Sequence, residues 1–376
     1  MKGRVITFIK KETVLVAAFL LAAISSFWVK PDVEYIGYMD WRTLGILFCL
    51  MTIMEGLQKA GFFQKIGIKL LEKTENTRQL TFVLVFLCFF FSMVITNDVS
   101  LLTFVPFSIM ILAECGQEKL LLPVVVLQTL AANLGSMLTP IGNPQNLYLY
   151  QLSGMDTIGF VKIMLPYTLA SAVMLGAAAC FLTRNREKTT ARMRLEAESP
   201  QKSRKSLVYL MLFLLCLCVV ARWIPFWIVF VVVLVVTFCM DRAVLRKVDY
   251  GLLLTFVGFF IFTGNLGRIE EVRSTLGSLV GGREVLIGVL ASQCISNVPA
   301  ALLLSGFTEN VEDLLIGVNL GGLGTLIASM ASLISYKIYG NHMPEKKGRY
   351  FFWFTVANVI FLVVLLVENI WIRYYY

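Results

Sequence analysis

The sequence predicts an all-α polytopic membrane protein with two inverted-topology repeats. About nine spanning helices and two re-entrant hairpins are expected, with helices broken at the bilayer midplane. Three observations carry that expectation. Of 376 residues, 58% are hydrophobic and 15% charged, with a mean hydropathy of +0.77; soluble domains run at about 45–50% apolar and about 25% charged. The apolar residues fall in runs of spanning length. Weak landmarks in the first half recur, in order, in the second.

A spanning helix needs about 20 mostly apolar residues. Along the chain that length selects 13–29, 42–57, 163–183, 207–221, 224–240, 250–266 and 350–367. The first run follows Lys10 and Lys11 as a signal peptide would, but no small-residue cleavage site comes after it, so it reads as a retained span. Stretches 120–150 and 314–339 are long enough to cross but are interrupted. The first holds two prolines, two glycines and three amides within 135–146, and the second holds the glycines of 321–325. Neither continues as a regular helix through a membrane, so each predicts a broken one. Residues 62–73 alternate apolar and basic, as an amphipathic helix on the inner surface does.

Two further apolar stretches carry polar centres. Thr96, Asn97 and Asp98 interrupt 80–113; Ser296, Asn297, Val298 and Pro299 interrupt 285–308. Each is either one kinked helix or two arms meeting at a polar tip, and an arm of roughly 15 residues is only about 22 Å long. Charge decides, because cytoplasmic loops carry the lysine and arginine excess. With the N-terminus inside and both stretches re-entrant, the inner segments hold 25 of the 33 lysines and arginines. Making either stretch a crossing collapses that asymmetry. The net charge of +9 therefore orients the chain in a lipid bilayer and does not point to nucleic acid.

The landmarks of the duplication are three. Asp40 and Trp41 ahead of 56–59 match Asp249 and Tyr250 ahead of 265–268, at an offset of 209. Ile95-Thr96-Asn97 matches Ile295-Ser296-Asn297 at 200, and Leu134-Gly135-Ser136 matches Leu323-Gly324-Thr325 at 189. The expected domains are a first transmembrane repeat over 1–182, a basic cytoplasmic linker over 183–206, an unpaired connecting span over 207–221 and an inverted second repeat over 222–376. Inverted repeats with helices broken near the midplane are the architecture of secondary transporters.

Backbone left unpaired inside a membrane requires protein or a water-filled cavity to receive it. Hydroxyl and amide oxygens at Thr96, Asn97, Ser296 and Asn297 suit a weakly held alkali cation. N–H groups at half-helix N-termini suit an anion. Asn97 and Asn297 also fit as helix caps, which is compatible with a ligand role. Asp98 reads either as a cation or proton carrier or as a cap of the helix that follows it. Thr139, Gly142 and Asn143 in the first break, with Gly321, Gly324 and Thr325 in the second, complete the candidate set. Arg222 separates two spans and reads as an anchor at the outer surface. The eight cysteines show no metal-ligand spacing and His342 is the single histidine, so no metal centre, cofactor or His-based catalysis is expected.

Thr96-Asn97-Asp98-Val99, the run 139–146, Ser296-Asn297-Val298-Pro299-Ala300 and Gly321-Gly322-Leu323-Gly324-Thr325 together resemble the ion transporter superfamily. The likeness is to its citrate-transporter-like and arsenite-permease-like anion permeases, related to the divalent-anion:sodium symporters. It covers nearly the whole chain. It implies two inverted repeats, Ser-Asn-Thr hairpin tips, unwound helices that complete the sodium and carboxylate sites, a homodimer and an elevator motion. By this resemblance Thr96, Asn97, Ser296 and Asn297 hold Na+ and the substrate's oxygens, completed by 139–143 and 321–325. The tips depart from Ser-Asn-Thr at Thr96, Asp98 and Val298. Those departures leave di- or tricarboxylate and inorganic oxyanion open as substrate, and sodium and protons open as coupling ion.

The expectation is a secondary transporter of a small anion, not an enzyme. It is placed multi-pass in the inner or plasma membrane with a cytoplasmic N-terminus. A sodium/proton antiporter and an arsenite or antimonite exporter are the alternatives. Hairpins from opposite faces fit alternating access better than a passive channel.

Overall fold

A computed structural model of the chain describes residues 12–184, 187–188 and 200–375. Lys10, Lys11 and most of the linker expected over 183–206 lie outside the described residues. Eighteen α-helices and no strand form among the described ones. The first half holds α1 (Thr13–Ser25), α2 (Glu34–Gly37), α3 (Trp41–Lys59), α4 (Phe62–Leu71), α5 (Thr77–Ser92) and α6 (Asn97–Glu114). It continues with α7 (Leu121–Ser136), α8 (Pro144–Ser153) and α9 (Thr157–Leu182). Helix α10 (Pro200–Val220) follows, then α11 (Phe226–Leu245), α12 (Tyr250–Gly267), α13 (Glu270–Val280) and α14 (Glu284–Ile295). The chain closes with α15 (Asn297–Leu304), α16 (Val311–Leu320), α17 (Met330–His342) and α18 (Lys347–Tyr375).

Six helical segments of the described residues are long and apolar enough to cross a bilayer: 97–114, 118–136, 157–182, 226–245, 250–267 and 344–375. Counting the bent pairs α3–α4 (55°) and α13–α14 (107°) as one span each brings the number to eight. The apolar helices α1 and α5 are shorter, at 13 and 16 residues. Helix α10 is described from Pro200, ahead of the expected 207. The amphipathic stretch after α3 forms α4, which buries Phe63, Gly67 and Leu71 on one face at a spacing of four.

Each polar interruption in the sequence is a break between helices. Helices α5 and α6 meet at 93–96, and α14 and α15 meet at Ser296. The arms are unequal. Helix α6 has 18 residues, about 27 Å of rise, whereas α14 has 12 and α15 only eight. Helices α7 and α8 are separated by 137–143, and α16 and α17 by 321–329. Proline sets the first break, and small residues set the second.

The same packing occurs twice. Helix α5 lies against α7, and α14 against α16. A Cβ on Gly135 would lie 2.6 Å from Ser92 Oγ, and one on Gly321 would lie 2.7 Å from Ser292 Oγ. Both glycines thus let a backbone approach the facing serine, as small residues do where membrane helices pack closely. Helix α1 packs on α12 while α11 packs on α3, so each half supplies a helix to the other. Gly135 and Gly321 therefore occupy matching places, with an offset of 186. The third sequence landmark had matched Gly135 with Gly324 instead. Gly324 is a turn residue at φ +106, where L side chains are strained, so the two glycines do different work.

The two ends of the bundle are held differently. At one, Lys59 and Lys205 reach Asp241 (2.7 and 3.7 Å), tying α3, α10 and α11. At the other, Arg268 pairs with Asp32 (2.7 Å), and the Arg42 guanidinium donates to the Val219 carbonyl (3.2 Å).

Candidate functional site

Five helices have side-chain caps of their own. Asp40, Asn76, Asp156, Asp249 and Asn310 accept backbone N–H groups at the starts of α3, α5, α9, α12 and α16. The four helices that start at the interior breaks differ. Thr96, Asn143, Ser296 and Ser329 stand at the N-caps of α6, α8, α15 and α17, and none makes a side-chain capping bond. These are residue types that ordinarily cap. Three of their side chains are directed elsewhere.

The bonds they make instead draw the four starts together. The Asn97 N–H donates to the Gly142 carbonyl (3.2 Å), and the Asn297 N–H donates to the Ala328 carbonyl (3.0 Å). Each tip is thereby fastened to the break of its own half at matching positions. Asn133, near the end of α7, then joins the halves. Its Oδ1 accepts from Asn97 Nδ2 (3.0 Å) and from Ser329 Oγ (3.0 Å), and its Nδ2 donates to Ser332 Oγ (3.3 Å). The reciprocal bond runs from Asn319 Nδ2 of α16 to Asn146 Oδ1 of α8 (2.7 Å). The pairs 133/319 and 146/332 share the offset of 186. Two matching cross-links thus bind one half to the other.

The expected site residues divide between this cluster and its supports. Asn97, Asn143, Ser296 and Asn297 are buried at it. Asn143 Nδ2 donates to Ser136 Oγ (2.6 Å), which fixes the first break. Gly142 passes so close to the Ser136 carbonyl that a Cβ would lie 2.1 Å from its oxygen. The Thr139 hydroxyl donates to the Met93 carbonyl and so holds the turn between α5 and α6. Thr325 is exposed and tied to Gln293, whose Oε1 accepts its N–H (2.9 Å). Gln293 also donates to the carbonyls of Gly321 and Leu323, both at 2.9 Å. Both threonines act on the loops rather than in the cluster. Asp98 sits half-buried in the first turn of α6; its N–H donates to Asn97 Oδ1 (2.9 Å), and its own Oδ1 is enclosed without a partner.

Sequence patterns missed Asn133, Asn319 and Gln293, while Ser329, Ser332 and the fully buried Gln145 belong to the two breaks that the sequence marks. Neither amide atom of Gln145 has a hydrogen-bond partner. A signal for the first two was present, since Asn-Leu-Gly occurs at 133–135 and again at 319–321.

Ser296 has φ 74° and ψ 154°, a region that glycine occupies and other residues enter at a cost of about 1–3 kcal/mol. Its counterpart Thr96 is relaxed at φ −64° and ψ 150°. Ser296→Gly is expected to raise the unfolding temperature in detergent, and Ser296→Ala, which keeps the Cβ, is not. A midpoint lowered by the glycine variant contradicts the strain assigned to this tip.

Comparison with known proteins agrees with the motifs. The citrate transporter family matches residues 5–312. An uncharacterized transporter of Methanocaldococcus jannaschii is 32% identical over 335 residues, 88% of this chain and 90% of the relative. The inner membrane protein YbiR of Escherichia coli is 32% identical over 310 residues, 80% of each chain. A silicon efflux transporter of Oryza sativa is 32% identical over 132 residues, 35% of this chain and 27% of the relative. The chain is a multi-pass membrane protein that belongs to the citrate transporter family.

Proposed function

We propose that the chain is a secondary active transporter of a small anion, a di- or tricarboxylate or an inorganic oxyanion, coupled to sodium or protons. One observation carries this reading: four interior helix starts, uncapped by side chains, gathered by an amide network in an apolar bundle. A helix N-terminus is equivalent to about half a positive charge, so clustered N-termini favour an anion. Oxygens of Thr96, Asn97, Ser296 and Asn297 serve a coupling cation on the same tips. The cross-links Asn133–Ser332 and Asn319–Asn146 unite the two halves around the site. That united body moves against α1, α3, α10, α11 and α12 to give alternating access. Two inverted repeats, a homodimer, and an inner or plasma membrane location with the N-terminus inside complete the proposal. A second reading, efflux of an uncharged metalloid acid, is favoured by the likeness of about a third of the chain to the silicon efflux transporter.

The test is uptake into proteoliposomes under imposed sodium or pH gradients. The panel is labelled citrate, succinate, sulfate, phosphate, arsenite and silicic acid. Gradient-dependent accumulation of at least one anion is expected, abolished by Asn97→Ala and by Asn297→Ala in protein that still melts cooperatively. Movement of arsenite or silicic acid alone selects the second reading. No gradient-dependent movement of any solute overturns both, and full activity in both variants removes the site.

A further inference from the structure

A cavity of about 740 Å³ opens at the end of the bundle opposite Lys59 and Asp241, lined by the starts and ends of α3, α8, α12 and α15. Arg42 and Arg222 both line it. Arg222 has φ 65°, an uncommon backbone for an arginine. Its guanidinium folds back over the Tyr150 ring, 5.2 Å from the centroid, and donates to the carbonyls of Gly154 (2.8 Å) and Tyr150 (3.3 Å). Arg42 gives one bond to the Val219 carbonyl, and its Nε is enclosed without a partner. The acid in this lining is Asp40, and it is engaged at the start of α3, where it accepts from the Thr43 N–H (2.9 Å). Two guanidiniums thus share one cleft with a single, committed carboxylate.

The inner wall of the cavity is a polar contact set in aromatic rings. Tyr148 of α8 and Ser305 beyond α15 are hydrogen-bonded through their hydroxyls at 2.9 Å, and both are nearly buried, at 8% and 9% exposure. The Tyr148 ring packs on Phe260, 5.6 Å between centroids. Helix α8 runs from Asn143 and Asn146, in the amide cluster, to Tyr148 and Gln151, at the cavity. One ten-residue helix therefore connects the two places.

We infer that this cavity is an access vestibule in which Arg42 and Arg222 hold a small oxyanion before it reaches the amide cluster. The Tyr148–Ser305 hydrogen bond stands on the wall of the cavity. The inference rests on the proposed anion transport. An anchoring role accounts for part of Arg222, because its bonds fasten the end of α8. It does not account for Arg42 on another helix, which lines the same cleft with its Nε unpartnered. Guanidinium forks match carboxylate and other oxyanions in two-pronged fashion. A cleft of one sign also concentrates counter-ions at its mouth, and salt weakens that effect.

The test is modification of the full-length purified protein by phenylglyoxal, read at Arg42 and Arg222 by peptide mass spectrometry. Citrate and sulfate, compared with chloride at equal ionic strength, are expected to slow modification of both arginines. Protection is expected to persist in Asn97→Ala, where the inner site is broken. Arg222→Gln and Arg42→Gln are expected to raise the KM for anion uptake about tenfold or more with little change in maximal rate. They should also flatten its dependence on ionic strength. The protection measurement needs no variant, so a misfolded Arg222→Gln leaves it intact. Saturable uptake with neither arginine protected by citrate or sulfate overturns the vestibule and spares the transport reading. Protection in a protein that moves no anion keeps an oxyanion site at the two arginines but overturns its role as a vestibule together with the transport reading.

Discussion

Asn133→Ala is expected to lower gradient-driven anion uptake about a hundredfold while the protein still folds. This carboxamide accepts from Asn97 and Ser329 and donates to Ser332, so it ties the start of α6 to the start of α17. Truncation leaves the Asn97 amide and the Ser329 hydroxyl without that acceptor. An unsatisfied buried group costs about 1–3 kcal/mol in soluble proteins. Hydrogen bonds between membrane helices average nearer 0.6 kcal/mol. Stability therefore falls modestly. Geometry suffers more, because a displacement of about 1 Å in a positioned site costs on the order of a hundredfold. Asn133→Asp keeps the acceptor and loses the donor to Ser332, and it is expected to retain intermediate uptake. The checks are initial rates in proteoliposomes alongside thermal midpoints. An alanine variant within about twofold of wild type removes Asn133 from the site.

Asn133 also shows where hydropathy stops informing. The tips at 96–98 and 296–299 stand out because several polar residues in succession interrupt a long apolar run. The break at 139–146 stands out because two prolines cannot continue a helix. A single amide in an otherwise apolar helix leaves no such mark, and Asn133 and Asn319 lie in helices that remain apolar around them. Their pairing depends on how α7 meets α17 and how α16 meets α8, which local sequence does not encode. Glycine is ambiguous for the same reason. Gly135 and Gly321 give a facing helix room, whereas Gly324 supplies a positive φ beneath Gln293. The three are identical as letters, so their spacing does not say which of them occupy matching places in the packing. Loop threonines follow the same logic: Thr139 and Thr325 have the right chemistry for a site, but their bonds hold turns.

Gly142→Ala is expected to be among the most damaging single methyl additions in the protein, alongside Gly135→Ala, whose Cβ would fall 2.0 Å from the Phe89 carbonyl oxygen. A Cβ on Gly142 would fall 2.1 Å from the Ser136 carbonyl oxygen and 2.8 Å from the carbonyl carbon and Cα of the same residue. All three are backbone atoms, so no side-chain rotation relieves the clash, and overpacking of this kind costs about 3 kcal/mol or more. The loss spreads because the carbonyls of the break are shared. The Gly142 carbonyl accepts the Asn97 N–H, and the Ser136 carbonyl accepts Asn146 Nδ2 (3.2 Å), the amide that also meets Asn319. Moving either carbonyl disturbs the first tip and a cross-link between the halves together. The matching residue of the second half is Ala328, whose carbonyl serves Asn297 while its Cβ is accommodated. The need for glycine therefore arises from the tight turn that Pro140 and Pro144 impose on the first break, not from the motif itself. Gly348→Ala, with nothing within 4 Å of the added carbon, is the control and should leave yield, midpoint and uptake unchanged. Ala328→Gly should be nearly as mild. A Gly142→Ala protein with wild-type uptake and midpoint contradicts the close approach at Ser136, and with it the fastening of the first tip to the break.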